Sequence, residues 1–360
     1  MTKKPEYPAA STSWRSAVLT FFGVLTLATF FAPGAWSHDF AGPFNVARIV
    51  VMLCFISLFF TFRIDHDFVG VLARPSRGAR VLMAVVPLLV LALTIIQAGW
   101  REFGVWLIRS ETWDWNYRHG IFVKAACDLA ACVIFVTLAV TFARRRHGGR
   151  QSRSQALLAS LLSCVFAFVT LAMAGEELSW GQRIFRWETP AGFVNDQGET
   201  NLHNFATEVF QNVWYFGCWL LLVAMPFFHV ALTRLSTRFK RFRFLSDFWP
   251  PTYFFLVFAS AYGLVDPFDS FAGISYGSIL FSILATFALL VYLTVWERGR
   301  MAKWTALPLV VFLVVLWLEL FVVRTWDINM GVPTEYLEVF ISFGVLAWAI
   351  VLRRRVSACG

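Results

Sequence analysis

Apolar stretches of about twenty residues recur ten times along this chain of 360 residues. A bilayer core about 30 Å thick needs about 20 apolar residues in one helix, because lipid offers no partner to an unpaired peptide group. Hydrophobic residues make up 58% of the chain and charged residues 15%, which excludes a soluble domain. The sequence therefore predicts an all-α, polytopic integral membrane bundle. The ten predicted transmembrane helices are residues 16–34, 44–62, 81–100, 121–142, 156–175, 209–232, 250–266, 276–296, 305–323 and 336–352.

The basic residues between these stretches predict the orientation of the bundle. Short cytoplasmic loops retain Lys and Arg, and a cytoplasmic N-terminus places 23 of the 31 basic residues inside and 6 in outer loops. Both termini are therefore predicted to be cytoplasmic, with residues 1–360 forming one transmembrane domain. The net charge of +9 then reflects topology, so nucleic acid is not predicted as a partner.

The few charges inside the predicted helices lie in their outer halves. Arg48, Lys124, Asp128, Glu319 and Glu338 all follow this pattern. A charge at the bilayer centre costs roughly 2.5 to 3.5 kcal/mol, so such placement calls for a reason. The sequence predicts a polar pocket that opens to the outside and is closed below by apolar side chains.

Two of these charges leave a structural alternative open. Lys124 and Asp128 are four residues apart on one helix and can neutralise each other there. Glu319 has no such partner within its own predicted helix.

A polar motif occupies the predicted outer loop between the fifth and sixth helices. Its first half is GEELSWGQR, residues 175–183, and its second half is NDQGETNLHN, residues 195–204. We call residues 176–208 the motif loop and predict that it is extracytoplasmic. If the fifth helix continues through the first half, one face carries Glu176, Ser179 and Arg183. The other face then carries Glu177, Trp180 and Ile184.

The second half of the motif is predicted to begin the sixth helix, with Thr200 or Asn201 as its N-cap. A helix N-terminus presents free N–H groups and favours an anion such as a phosphate. Carboxylates and a histidine nearby suit general acid/base chemistry. The predicted catalytic residues are Glu176, Glu177 and His203. The predicted substrate-binding residues are Ser179, Trp180, Gln182, Arg183, Asn201, Asn204, Asp128 and Glu319. The alternative is a capped structural hairpin.

A divalent metal is one possible cofactor of this site, and metal-free acid/base chemistry is the other. His and carboxylate side chains suit zinc, although no HExxH spacing occurs. The candidate ligands are Glu177, His203, His38 and His119.

The leading functional interpretation is a cell-envelope hydrolase or transferase whose partner is a membrane lipid or a lipid-linked sugar or phosphate. The alternative is a transporter or lipid-handling protein without catalysis, and a noncatalytic envelope partner is the third possibility. Transport needs a polar path to both faces, and the apolar inner halves of the helices argue against one. The sequence does not specify the substrate or the oligomeric state.

The two halves of the motif also resemble a known signature. EELSWGQR, followed by the pattern N-x-Q-x-E-x-N-L-H-N from Asn195 to Asn204, resembles the signature of an uncharacterised family of bacterial polytopic membrane proteins. The resemblance covers about 30 of the 360 residues. It implies a bacterial membrane protein that carries this loop, and it implies no established activity.

Overall fold

The computed structural model describes residues 76–100, 119–144, 152–190, 200–201, 207–239, 242–264, 272–296, 300–318 and 331–358, together with Phe21, Val50, Met52, Cys54 and Ile56. All regular structure in these residues is helical, and they include no strand. In chain order the main helices are α1 (Arg77–Gly99), α2 (His119–Arg144), α3 (Arg153–Glu177), α4 (Thr207–Trp219), α5 (His229–Arg238), α6 (Tyr253–Phe258), α7 (Ala272–Trp296), α8 (Arg300–Trp317) and α9 (Gly331–Ala358).

Four of these helices are long and apolar enough to cross a membrane. They are α1, α2, α3 and α9, and a bent pair that includes α4 and α5 raises the number to five by length and composition. The four coincide with the predicted spans at 81–100, 121–142, 156–175 and 336–352. The all-helical fold with several spans is thus confirmed. The total of ten helices and the side of each terminus stay predictions, and the first two predicted spans lie almost entirely outside the described residues.

The chain divides into two compact units. One comprises residues 1–66 and 267–298, which include α7, and the other comprises residues 67–266 and 299–360. Within the described part of the first unit, α7 buries Ser278 and Ser282, and the Ser282 hydroxyl donates to the Ser278 carbonyl at 2.8 Å. The candidate site described below lies within the second unit.

Helices α2 and α3 form an antiparallel hairpin that packs against α9. Small residues line the buried face of α3 and let the two backbones approach closely, and the Ser160 hydroxyl donates to the Ala139 carbonyl across the pair at 2.9 Å. Ser152 begins α3 with a capping box that it forms with Gln155. Helix α3 ends at Glu177, with Leu178 as its C-cap.

Helix α4 is followed first by an irregular segment and then by a bend. A π-helical segment, Leu220–Ala224, follows it and leads into Met225–Phe227. The chain then bends by 85° into α5. The predicted span at 209–232 is therefore helical but neither regular nor straight.

The predicted span at 250–266 differs more clearly from one continuous helix. The described residues form the six-residue helix α6, a break at Ala259 and Ser260, and a 3₁₀ turn, Ala261–Leu264. Pro250 and Pro251 disfavour helical backbone angles in the residue before each of them, so the helix does not begin earlier. The Ser260 hydroxyl donates to the Val257 carbonyl at 3.2 Å, a local bond that competes with helix geometry.

This interrupted segment nevertheless runs antiparallel to α9. At its start, the Trp249 carbonyl accepts a hydrogen bond from Arg355, near the end of α9. Towards its other end, the Tyr262 hydroxyl donates to the carbonyl of Tyr215, whose own hydroxyl binds Glu338 near the start of α9. A short, buried and broken helix thus follows α9 over most of its length.

Candidate active site

Lys124 joins the ends of three helices in one ion-pair cluster. Its Nζ lies 2.9 Å from Oε2 of Glu177, the last residue of α3, and 2.5 Å from Oε2 of Glu338 on α9. The lysine side chain is 4% exposed, whereas those of Glu177 and Glu338 are 16% and 21% exposed. Two partly accessible carboxylates therefore cover one buried ammonium group.

Tyrosine side chains extend this cluster to α4. The Tyr215 hydroxyl donates to Oε1 of Glu338 at 2.5 Å, so both oxygens of that carboxylate have partners. Tyr262 supports the tyrosine by donating to its carbonyl at 3.2 Å. We call Lys124, Glu177, Glu338 and Tyr215 the ion-pair cluster.

Asp128 lies one turn below Lys124 on α2. Its Oδ2 accepts a hydrogen bond from the Ser342 hydroxyl at 3.1 Å, and it is 1% exposed. Its Oδ1 has no hydrogen-bond partner in the described part of the chain. Glu177 and Lys124 are both close enough to influence Asp128 electrostatically.

The structure adds partners from other helices to the alternative that Lys124 and Asp128 neutralise each other, and Lys124 still acts electrostatically on Asp128. Lys124 pairs with Glu177 and Glu338, and Asp128 bonds to Ser342. The reason is that α9 runs parallel to α2 in one register, so Glu338 lies opposite Lys124 and Ser342 lies opposite Asp128. The neighbouring helices thus supply partners for Lys124 and for Oδ2 of Asp128.

The first half of the motif forms a tight turn rather than a continued helix. Residues 178–186, which we call the motif turn, follow the end of α3 at Glu177. The Trp180 indole folds back and donates from Nε1 to Oε1 of Glu176 at 2.6 Å. The sequence placed Trp180 on the same helix face as Glu177. In the structure its indole instead binds the buried Glu176, so the two predicted faces are corrected.

Glycines allow this turn to close. A Cβ on Gly175 would lie 2.9 Å from the Trp180 ring, so the glycine makes room for the tryptophan of its own motif. Gly181 has φ 96°, and Ser179 and Trp180 also have positive φ, at 47° and 51°. Such left-handed geometry costs roughly 1 to 2 kcal/mol for a residue with a side chain, so surrounding bonds must hold it.

Hydrogen bonds from three polar motif residues hold the motif turn. Arg183 Nε donates to the Ser179 hydroxyl at 2.8 Å. Gln182 donates from Nε2 to Thr189 at 2.8 Å, and its Oε1 accepts from the backbone N–H of Thr200 at 2.9 Å. The Thr200 hydroxyl also donates to the Ser179 carbonyl at 2.5 Å.

These contacts bring Thr200, within the second half of the motif, against the first half. Thr200 bonds within the motif turn, and the adjacent Asn201 is 2% exposed. Thr200 and Asn201 of the motif loop thus lie at the motif turn, whereas residues 191–199 lie outside the described residues. Since Ser179 follows Glu177 by two residues, the motif turn and the ion-pair cluster are neighbours at one end of the bundle.

Several predicted site residues lie outside the described residues. These are His203, Asn204, Glu319 and His38, and the side chain of His119 is likewise not described. In the described part of the chain, no group of three His, Cys, Asp or Glu side chains could hold a metal ion. The metal ligand set Glu177, His203, His38 and His119 stays a prediction.

The sequence interpretation did not assign Lys124, Glu338, Tyr215 or Ser342 to the site. A signal for three of them was present, because Lys124 and Asp128 have the same four-residue spacing as Glu338 and Ser342. Equal spacing on two helices predicts paired contacts only once the helices are known to be parallel neighbours. Tyr215 gave no comparable signal.

Aromatic rings close the bundle on the other side of Asp128. Phe135 packs on Phe166 and on Trp348, with ring centroids 5.3 and 5.2 Å apart. Further along, Phe142 stacks on Phe248 at 5.8 Å. The described polar cluster therefore lies towards one end of α2 and α9, with an apolar core towards the other.

The described fold defines an all-helical protein with four or five helices able to cross a membrane by length and composition. Comparisons of the chain with protein-family models, with curated proteins and with solved structures each gave no match. The resemblance of the motif to a bacterial membrane family accordingly stays a prediction.

Proposed function

We propose that this protein is an enzyme of the bacterial inner membrane that hydrolyses or transfers a group on a lipid or a lipid-linked sugar or phosphate. The observation that carries the proposal is the ion pair between Glu177 and Lys124. It joins the polar motif directly to buried charge at the ends of membrane-spanning helices. Intramembrane ionisable groups are rare and commonly mark functional sites.

The proposed chemistry assigns separate roles to the two partners. Glu177 is the more accessible of the two and accepts a proton from water or a substrate hydroxyl, whose oxygen attacks the phosphorus or carbonyl carbon of the substrate. The bond from that atom to the leaving oxygen then breaks, and Glu177 returns the proton to the leaving oxygen. Lys124 holds the Glu177 carboxylate in place and stabilises negative charge that develops on the substrate. Arg183, held through Nε by Ser179, supplies a positive charge in the motif turn that favours a substrate phosphate.

A turnover assay tests this proposal. Purified protein in nanodiscs of bacterial polar lipid extract is expected to generate new lipid species that mass spectrometry detects. The Glu177→Gln variant should lose about a hundredfold or more in rate, the range for removing a general base. Glu188→Gln is the matched control, because Glu188 is an exposed carboxylate of the same loop, and it should retain activity. Equal rates for both variants would exclude Glu177 as the base.

The proposed site faces the periplasm or exterior, and the distribution of basic residues supports this side. Reporter fusions after Arg146 and Arg241 are expected to be cytoplasmic, whereas fusions at Asn195 and Asp269 should be exported. An exported reporter after Arg241 would reverse the assignment of faces. The predicted topology has α2 and α9 both run from the outer face to the inner face. Their parallel course agrees with that topology.

A transporter or lipid-handling protein is the second candidate. The π segment after α4 and the break after α6 favour it, because interrupted helices form binding sites in many transporters. The aromatic core beyond Asp128 argues against a polar path to the other face. Lipid movement between leaflets without new lipid species in the nanodisc assay would favour this candidate.

A further inference from the structure

A cleft lies between α2 and α9 at the end away from the ion-pair cluster. Its volume is about 350 Å³, and its lining residues are Ile134, Ile350, Arg353, Arg354 and Ser357. We call these residues the arginine cleft. It is separate from the proposed catalytic groups and is not needed for the chemistry described above.

The spacing of the lining residues places polar and apolar groups in order along one helix face. Ile350, Arg353, Arg354 and Ser357 follow the i, i+3, i+4, i+7 pattern of a single face of α9. Ile134 closes the cleft from α2. The cleft thus has an aliphatic wall towards the membrane interior and two guanidinium groups in the last turns of a membrane-spanning helix.

The three consecutive arginines of α9 have different environments. Arg355 is partly buried and donates from Nη1 to the carbonyls of Asp247 and Trp249, at 3.2 and 2.7 Å, so it holds the fold. Arg353 and Arg354 are exposed. Within the described residues, neither of them donates a hydrogen bond or lies within 4 Å of a carboxylate.

We propose that the arginine cleft binds an anionic phospholipid. The guanidinium groups of Arg353 and Arg354 bind the headgroup phosphate, the Ser357 hydroxyl donates to it, and an acyl chain follows Ile350 and Ile134. Arginine suits phosphate because its planar fork forms two parallel hydrogen bonds. Basic pockets between transmembrane helices bind anionic headgroups in the same manner. The aliphatic wall favours a lipid over free phosphate.

The experiment uses delipidated full-length protein in dodecyl maltoside. Binding is measured by native mass spectrometry with phosphatidylglycerol, with phosphatidylcholine of the same acyl chains, and with inorganic phosphate alone. We expect binding of phosphatidylglycerol to exceed that of phosphatidylcholine, and the double variant Arg353→Gln/Arg354→Gln to weaken it about tenfold or more. Inorganic phosphate alone should bind weakly.

A matched control separates this site from general attraction between the basic protein and an anionic lipid. Arg77 and Arg80 are exposed on the first turn of α1, and Arg77→Gln/Arg80→Gln removes the same charge. This variant should bind phosphatidylglycerol like the wild type. Equal weakening in both double variants, or equal binding of the two lipids, would overturn the proposal. Tight binding of phosphate alone would identify a free-anion site instead.

Discussion

Replacing Lys124 by methionine is expected to lower the free energy of unfolding by about 3 to 5 kcal/mol, the usual cost of removing one partner from a buried ion pair. The lysine is 4% exposed and bridges Glu177 and Glu338. Without it, two carboxylates face each other at short range, with Asp128 one turn below. The loss comes from uncompensated charge, because methionine fills most of the volume of the lysine stem.

A variant series tests this cause in detergent micelles, with unfolding followed by denaturant titration. The triple variant Lys124→Met/Glu177→Gln/Glu338→Gln removes both uncompensated carboxylates and should recover most of the lost stability. Arg80→Met removes an exposed cation and should change stability by less than about 0.5 kcal/mol. A triple variant no more stable than Lys124→Met would show that packing, and not charge, causes the loss.

Replacing Gly344 by valine is expected to cost about 3 kcal/mol, at the upper end of the usual range for overpacking a core. Gly344 lies on α9 where the π segment and α6 meet it. A Cβ at this position would approach Leu222 Cδ1 at 2.6 Å and Phe258 Cε1 at 3.0 Å. Both side chains are buried, at 0% and 1% exposure, so neither has free space to move into.

The matched control is Gly217→Val on α4. A Cβ there meets nothing within 4 Å. The substitution should be close to neutral, because valine and glycine differ little in helix propensity. Apparent melting temperatures in the same detergent compare the two variants. Similar melting temperatures for both would mean that α9 and the two interrupted segments do not pack tightly at Gly344.

Four of the long helices were predictable from their apolar stretches alone. Helices α1, α2, α3 and α9 follow the predicted spans because a peptide group in lipid must find its partner within its own helix. The same argument fails at residues 250–266, where the segment is covered by protein. Neighbouring helices bury the break at Ala259 and Ser260, so a regular helix is not required there.

The motif loop was predictable in composition but not in local geometry. Its polar residues marked one end of the bundle, and Thr200 does return to the first half of the motif. The sequence did not reveal that Trp180 folds onto Gly175 and binds Glu176. Helix propensity at GEELSW permits continuation, and only the tertiary bonds of the turn stabilise its left-handed residues.

The sequence by itself determined that this chain is a helical membrane protein with its intramembrane charges at one end of the helices. The length of an apolar stretch and the free-energy cost of a charge in the bilayer can both be read from the residues of one segment. The sequence also placed Lys124 and Asp128 on one helix face. Only the tertiary structure decided their partners, since α9 runs parallel to α2 and aligns Glu338 and Ser342 with them, while α3 ends at Glu177. Contacts between residues 214 positions apart depend on helix order and direction, which no local pattern encodes.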